Sequence, residues 1–242
     1  KFFLLCSGVD YVTLNHMLDK KERYSIMNPY FEGIKESLIQ YESMWEYNSK
    51  SHKKIHDFLY KKINGVIASD LDYVNPLINN PKFLGMIPNP INISTIEFVE
   101  NTIKDKIVIF LGINNGNSYK KGIHLFEKAL EIIKQKYADK VEVIVTRNIP
   151  YQDYIKQFNK AHIVLDQIYA YDQGYNALEA MAKGKVVFTG AEKEFEEYYN
   201  LSEKVAVNAL PDVENLVTEL SFLIENPNEI QAIGIRARAF VE

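Results

Sequence analysis

With 242 residues, 47% hydrophobic and 25% charged, the chain has the composition of a folded globular protein, with room for one large or two modest domains. A net charge of −4 excludes a global basic field that recruits nucleic acid, and no apolar stretch approaches the ~20 residues of a membrane span. The single cysteine, Cys6, excludes an intrachain disulfide and points to a reducing, cytoplasmic compartment.

"KFFLLCS" (1–7) reads as a buried strand and is too short for a signal-peptide core. A strand at residue 1 leads us to expect that further sequence precedes it. "SGVDYVTLNHMLDKKER" (7–23) reads as a loop of mixed polarity. Residues 31–63 have helical spacing, broken near "YNSKSHKK". "NGVIASD" (64–70) is a short strand with a helix N-cap signal behind it. "FLGMIPNPINI" (83–93) is a strand running into a Pro-Asn-Pro loop, which cannot be helical and marks a domain boundary near residue 90. Strand and helix then alternate: strands at 106–112, 140–146, 162–167, 185–190 and 204–208, with helices at 120–138, 151–161, 174–183, 192–199, 212–225 and 227–242. Such alternation predicts a parallel sheet covered on both faces. The expected organisation is a partial domain 1–90, a second domain 91–225, and a last helix, 226–242, crossing back toward the first. In open α/β sheets ligands bind beyond the strand C-termini, which directs attention to 112–122, 146–151, 166–176 and 189–194.

In "GINNGNSYKKG" (112–122), Gly112, Asn114 and the residues to Ser118 can turn several backbone N–H groups into one concavity. Lys120 and Lys121 oppose the following helix dipole unless an anion binds between them. The segment lacks Walker A spacing, and taken alone it reads more readily as a long solvated turn with two exposed lysines. Asp166 and Gln167 end an apolar strand at the ligand edge, where Asp166 either serves a ligand or caps a turn. In "GYNALEAMAKGK", Leu178, Met181 and Ala182 form the core stripe, while Glu179 shares a side with Tyr175 and Asn176. Glu179 is either an i,i+4 partner of Lys183 or a carboxylate beside a ligand edge that Gly174 leaves open, suited to vicinal hydroxyls. Asp70 and Asp72 after a strand form a two-carboxylate pattern that elsewhere holds a divalent cation, but capping of the next helix is the better reading. Residues 49–63 form a basic amphipathic stretch with Ile55, Phe58, Leu59 and Ile63 on one side and Lys50, Lys53, Lys54, Lys61 and Lys62 around the rest. Such a helix can lie on an anionic membrane, although a core-facing apolar side is the commoner arrangement. The five histidines show no metal-ligand spacing and no nucleophile elbow is present, so no metal is expected.

"GYNALEAMAKGKVVFTG" (174–190) resembles the donor-domain signature of family-4-type glycosyltransferases, roughly Gly-x4-Glu-Ala-Met-Ala-x-Gly-x-Pro-Val. "IVIFLGINNGNSYKKG" is similar to that family's first donor-domain strand and loop, and "IPNPINI", "ARAFVE" and "CSGVD" are similar to further segments of it. The resemblance implies a GT-B fold: two Rossmann-like domains with parallel sheets, the N-terminal one incomplete here, and an active site in the cleft. It implies a nucleotide-sugar donor on the C-terminal domain, a glycan or lipid-linked acceptor, no metal or other cofactor, retention of configuration, and a role in bacterial surface polysaccharide synthesis. It places the protein in the cytoplasm, at the inner membrane face where the acceptor is lipid-linked. Carried over, Lys121 contacts the donor diphosphate, Glu179 the ribose, and the backbone of Gly174, Tyr175 and Asn176 the phosphate or sugar. The family's earlier glutamate is replaced by Tyr171, and Asp166–Gln167 matches a variant that supplies sugar-facing polarity. Lys121, Asp166 and Glu179 are thus the expected catalytic set. Ile113 stands where the family usually has Arg, which leaves open an alternative: a module of this fold that binds nucleotide or glycan, or scaffolds an assembly, without catalysis.

Overall fold

The computed structural model describes residues 1–242, and their contacts divide them into two compact units, 1–90 and 91–242.

The first unit holds strands β1 (Phe3–Cys6), β2 (Gly65–Ala68) and β3 (Phe83–Met86) in one parallel sheet of that order. β1 is not buried on both sides as expected. Cys6 and, less completely, Leu4 pack with Val66, Ala68 and Leu77, while Phe3 and Leu5, which alternation sends to the other face, are exposed. Residues 7–23 contain helix α1 (Tyr11–Leu18), not only a loop. The cause is local: Asp10 Oδ1 accepts the Thr13 N–H at 2.8 Å, and Thr13 Oγ1 accepts the Asp10 N–H at 2.8 Å. That reciprocal cap starts a helix which buries Thr13 and Leu14.

The region 31–63 is helical in pieces: a short α2 (Asn28–Phe31) before it, a 3₁₀ helix over Lys35–Asn48, and α3 (Lys50–Lys62). Ser49 caps α3 by accepting the His52 N–H. The helix turns a different side inward from the one its apolar residues suggest. His52, His56 and Tyr60 lie along the partly buried side with Ile63 at its end, while Ile55, Phe58 and Leu59 are exposed. α4 (Leu71–Leu77) follows β2. Asp70 occupies its N-cap position, but its carboxylate makes no capping hydrogen bond and takes the Ser69 hydroxyl at 3.3 Å. No group of three His, Cys, Asp or Glu residues capable of holding a metal forms anywhere in the chain.

The second unit is a five-stranded parallel sheet, β4 (Ile107–Ile113), β5 (Val141–Arg147), β6 (Ile163–Leu165), β7 (Val186–Thr189) and β8 (Val207–Asn208), in the order β5-β4-β6-β7-β8. Its helices are α5 (Ile123–Lys136), α6 (Tyr151–Lys160), α7 (Tyr175–Ala182), α8 (Lys193–Tyr198), α9 (Val213–Glu225) and α10 (Pro227–Val241). α5 begins three residues later than its amphipathic run because Gly122 takes a left-handed φ of 71° at the N-cap. α10 packs on α7, α9 and β7, so residues 226–242 group with 91–225. The fit there is close: a Cβ on Gly234 would lie 2.1 Å from the Gly184 carbonyl oxygen. The chain leaves β4 for the edge strand β5 on one side and returns to β6 on the other. Strand order therefore reverses between β4 and β6, and a crevice opens beyond their C-terminal ends.

Candidate functional site

A pocket of about 440 Å³ lies at that reversal, lined by Gly112 and Ile113 of β4, Asn114, Asn117 and Lys121 of the following loop, Thr146 near the end of β5 and Asn148 just beyond it, Tyr154 of α6, Asp166 beyond β6 and Asn176 of α7. Each residue comes from the C-terminal end of a parallel strand, the loop beyond it or the first turn of a helix, as the topology requires.

Asp166 is the centre of the polar lining. Its side chain is 1% exposed, and its Oδ1 accepts both the Lys121 ammonium at 2.8 Å and the Asn176 amide at 2.9 Å. The Asn176 carbonyl accepts the Tyr154 hydroxyl at 2.7 Å, which fixes the amide with its NH2 toward Asp166. Burial, and then the Asp166 carboxylate, push the Tyr154 phenol above its ordinary range, so it remains a hydrogen-bond donor. The other carboxylate oxygen, Asp166 Oδ2, and the Thr146 hydroxyl are buried without a protein partner. Buried polar groups are normally satisfied, and two unsatisfied ones in the lining of a single pocket are available to a bound molecule.

Two further features favour an anion. α7 has no side-chain cap, and its first intrahelical bond runs from Leu178 N to the Gly174 carbonyl. The N–H groups of Tyr175, Asn176 and Ala177 therefore lack helical acceptors and carry the positive end of the helix dipole. The loop after β4 is held by short polar contacts. Asn114 Oδ1 accepts the Gly116 N–H at 2.8 Å, Asn148 Oδ1 accepts the Asn115 N–H at 3.0 Å, and the Lys121 carbonyl accepts the Ile168 N–H at 3.0 Å. Lys121 thus stands on a pinned backbone with its ammonium in the pocket. Burial holds the neighbouring Lys120 ammonium below its ordinary pKa.

Of the residues singled out in the sequence, Gly112, Asn114, Lys121, Asp166 and Asn176 line the pocket together. Gly174 and exposed Tyr175 stand at the start of α7. Glu179 is outside the lining; it pairs with Lys183 at 3.7 Å and lies one turn from Asn176 on the same side of α7. Gln167 also lies outside, donating to the Asp172 carbonyl at 3.4 Å. Tyr171 is buried and is not among the residues that line the pocket.

Tyr154 was not anticipated. Its ring rests on Gly112, where a Cβ would come within 2.5 Å of it, and stacks on the buried Phe158. The signal in the sequence was the aromatic spacing Tyr151, Tyr154, Phe158 on α6 opposite a glycine at the end of β4.

Comparison with known proteins accords with this architecture. Among solved structures, TarM superimposes with a TM-score of 0.60 at 16% identity, over 81% of this chain and 43% of its own. A sucrose-phosphate synthase from Thermosynechococcus elongatus gives a TM-score of 0.59 at 14% identity, over 99% of this chain and 68% of its own. HepE from Anabaena, solved in complex with UDP and glucose, gives 0.58 at 16% identity, over 81% of this chain and 63% of its own. The chain therefore spans less than half of TarM and about two thirds of the other two. No curated protein matches it in sequence. The family model described as "Glycosyl transferase-like" matches residues 120–242, just over half of the chain and every element from α5 onward. With two parallel-sheet units of GT-B type and that match across its C-terminal half, the chain belongs to the glycosyl transferase-like family.

Proposed function

We propose that residues 91–242 bind a nucleotide-sugar donor at the pocket beyond β4 and β6, and that the protein transfers the sugar to a glycan or lipid-linked acceptor in bacterial surface polysaccharide synthesis. The observation that carries this reading is the meeting, at one 440 Å³ pocket, of the Lys121 ammonium with the uncapped N-terminal turn of α7. A diphosphate fits both. Its charge satisfies the lysine and the helix dipole, and its oxygens take the N–H groups that the helix leaves open.

Negative charge develops on the leaving phosphate as the sugar–oxygen bond breaks. Lys121, the loop around Asn114 and the α7 amides are the groups placed to stabilise it, without a metal. Asp166 Oδ2, an acceptor without a partner, suits a hydroxyl of the donor sugar. Glu179, one turn along α7, suits the ribose once it exchanges Lys183 for the two hydroxyls. Tyr171 and Gln167 take no part in this assignment. Similarity to HepE and to a TarM from S. aureus, both solved with UDP, makes UDP the first nucleotide to test.

The test is thermal unfolding with UDP, GDP and ADP in turn, with chelator present. A nucleotide at a hundredfold excess over its Kd adds about 2.7 kcal/mol to the folded state, about 5–10 °C for a unit of this size. Lys121→Ala should remove that shift. Absence of a shift with every nucleotide, or a full shift in Lys121→Ala, overturns the assignment.

A further inference from the structure

We propose that the exposed side of α3 is a docking surface for an anionic lipid bilayer. Ile55, Phe58 and Leu59 are 53%, 61% and 39% exposed, and no residue of the helix itself is fully buried. Apolar side chains at i, i+3 and i+4 are the spacing by which a helix normally joins a core. Here the inward side is taken by His52, His56 and Tyr60, the last two with tilted rings whose centroids lie 4.0 Å apart, so the apolar stripe is left over rather than used.

The charges around the stripe decide what covers it. Lys54, Lys61 and Lys62 lie at i−4, i+3 and i+4 from Phe58 and surround it on its own side of the helix. Five lysines stand against one acid, Asp57, which is already paired with Lys53 at 2.9 Å. A ring of like charge around three apolar groups disfavours a second copy of the chain. It suits a surface whose negative charge is spread over many headgroups, with the lysine stems extending along the apolar layer and their ammonium groups in the phosphate plane.

The helix is already formed and fixed at both ends. Ser49 caps its start, and the Lys82 ammonium bonds to the Ile63 carbonyl at 2.8 Å and to that of Tyr60 at its end. Docking therefore requires no folding step. At 13 residues the helix lies on a bilayer and does not cross it. The overall charge of −4 adds nothing to this attraction, so binding depends on this face. The proposal concerns residues 1–90 alone and stands apart from the nucleotide assignment.

The experiment is co-sedimentation of the 242-residue chain with vesicles of phosphatidylcholine alone, or with about one third phosphatidylglycerol. We expect binding to the anionic vesicles only, weakened in about 0.5 M salt, where the screening length shrinks to a few ångströms. Lys54→Glu with Lys61→Glu should lower partitioning at least about tenfold. Ile55→Ser with Phe58→Ser should lower it on the same vesicles with the lysines intact. All four positions are exposed, and unchanged circular dichroism and melting temperature verify that the variants fold. Three results overturn the proposal: no binding to anionic vesicles, charge-reversed binding equal to native, or a Phe58-dependent dimer in solution, which assigns the stripe to a second copy.

Discussion

Lys121 and Asp166 form the contact on which the pocket is built, and a double-mutant cycle measures it. At 2.8 Å their gross attraction is about 6 kcal/mol at an effective dielectric of 20. Burying the carboxylate and partial screening of a lysine that is 31% exposed cancel most of this. We therefore expect a coupling energy of about 1–3 kcal/mol from Lys121→Met, Asp166→Asn and the double variant. Lys121→Met is the more damaging single change, since it leaves a buried carboxylate with only the Asn176 amide. Asp166→Asn keeps an acceptor for both neighbours but buries an unpaired NH2 where Oδ2 was.

The two changes diverge in ligand binding. Lys121→Met should weaken nucleoside diphosphate binding at least about tenfold through loss of a charge-assisted hydrogen bond. Asp166→Asn should bind the same nucleotide as tightly as native or more so, because a carboxylate beside the diphosphate is gone while the ammonium stays. Urea titration followed by far-UV circular dichroism gives stability, and isothermal titration gives binding. The only tryptophan, Trp45, lies in the first unit, so its fluorescence transition is an internal control that should not move. Coupling below about 0.5 kcal/mol, or equal loss of nucleotide binding in both single variants, refutes this account of the pocket.

Two predictions address the scaffold. Burial, and then Lys185, hold His162 below its ordinary pKa, and its Nδ1 accepts the Val108 N–H at 2.8 Å, so the folded state resists protonation. The unfolded chain then binds the proton first, and stability should fall as pH drops below about 6.5, with a shallower fall in His162→Asn, which offers Val108 an uncharged acceptor; identical pH profiles count against this. Gly234→Ala should cost about 1–3 kcal/mol by overpacking, because its Cβ would meet the Gly184 carbonyl; native-like stability in urea shows that α10 does not pack there.

Topology was legible where local signals suffice. Continuous apolar runs in residues 106–112 and 185–190 give strands, and the glycine-bounded run 174–184 gives α7, within one or two residues of the observed ends. These placed the ligand edge, because a parallel sheet with a reversal in strand order has one crevice whatever the side chains are. α1 was missed because the polar residues of 7–23 conceal the Asp10–Thr13 cap, a pair three residues apart that matters more than mean polarity. α3 was turned the wrong way because periodicity identifies an apolar side but not whether the core has a place for it.

The pairings within the site were the least legible, for the same reason. Lys121 and Asp166 are 45 residues apart, and Tyr154 and Asn176 are 22 apart. Each residue was visible as a type at an edge, but which cation meets which carboxylate depends on how the loop after β4 folds back over β6. Glu179 shows the consequence. Its motif assigns it to a ligand and its i,i+4 spacing assigns it to Lys183, and without a ligand the spacing prevails at 3.7 Å. A half-buried i,i+4 pair at that distance is worth about 0.5 kcal/mol. On the assignment proposed for Glu179, two ribose hydroxyls would take the place of Lys183, and the ion pair seen here would be the ligand-free state of the same side chain.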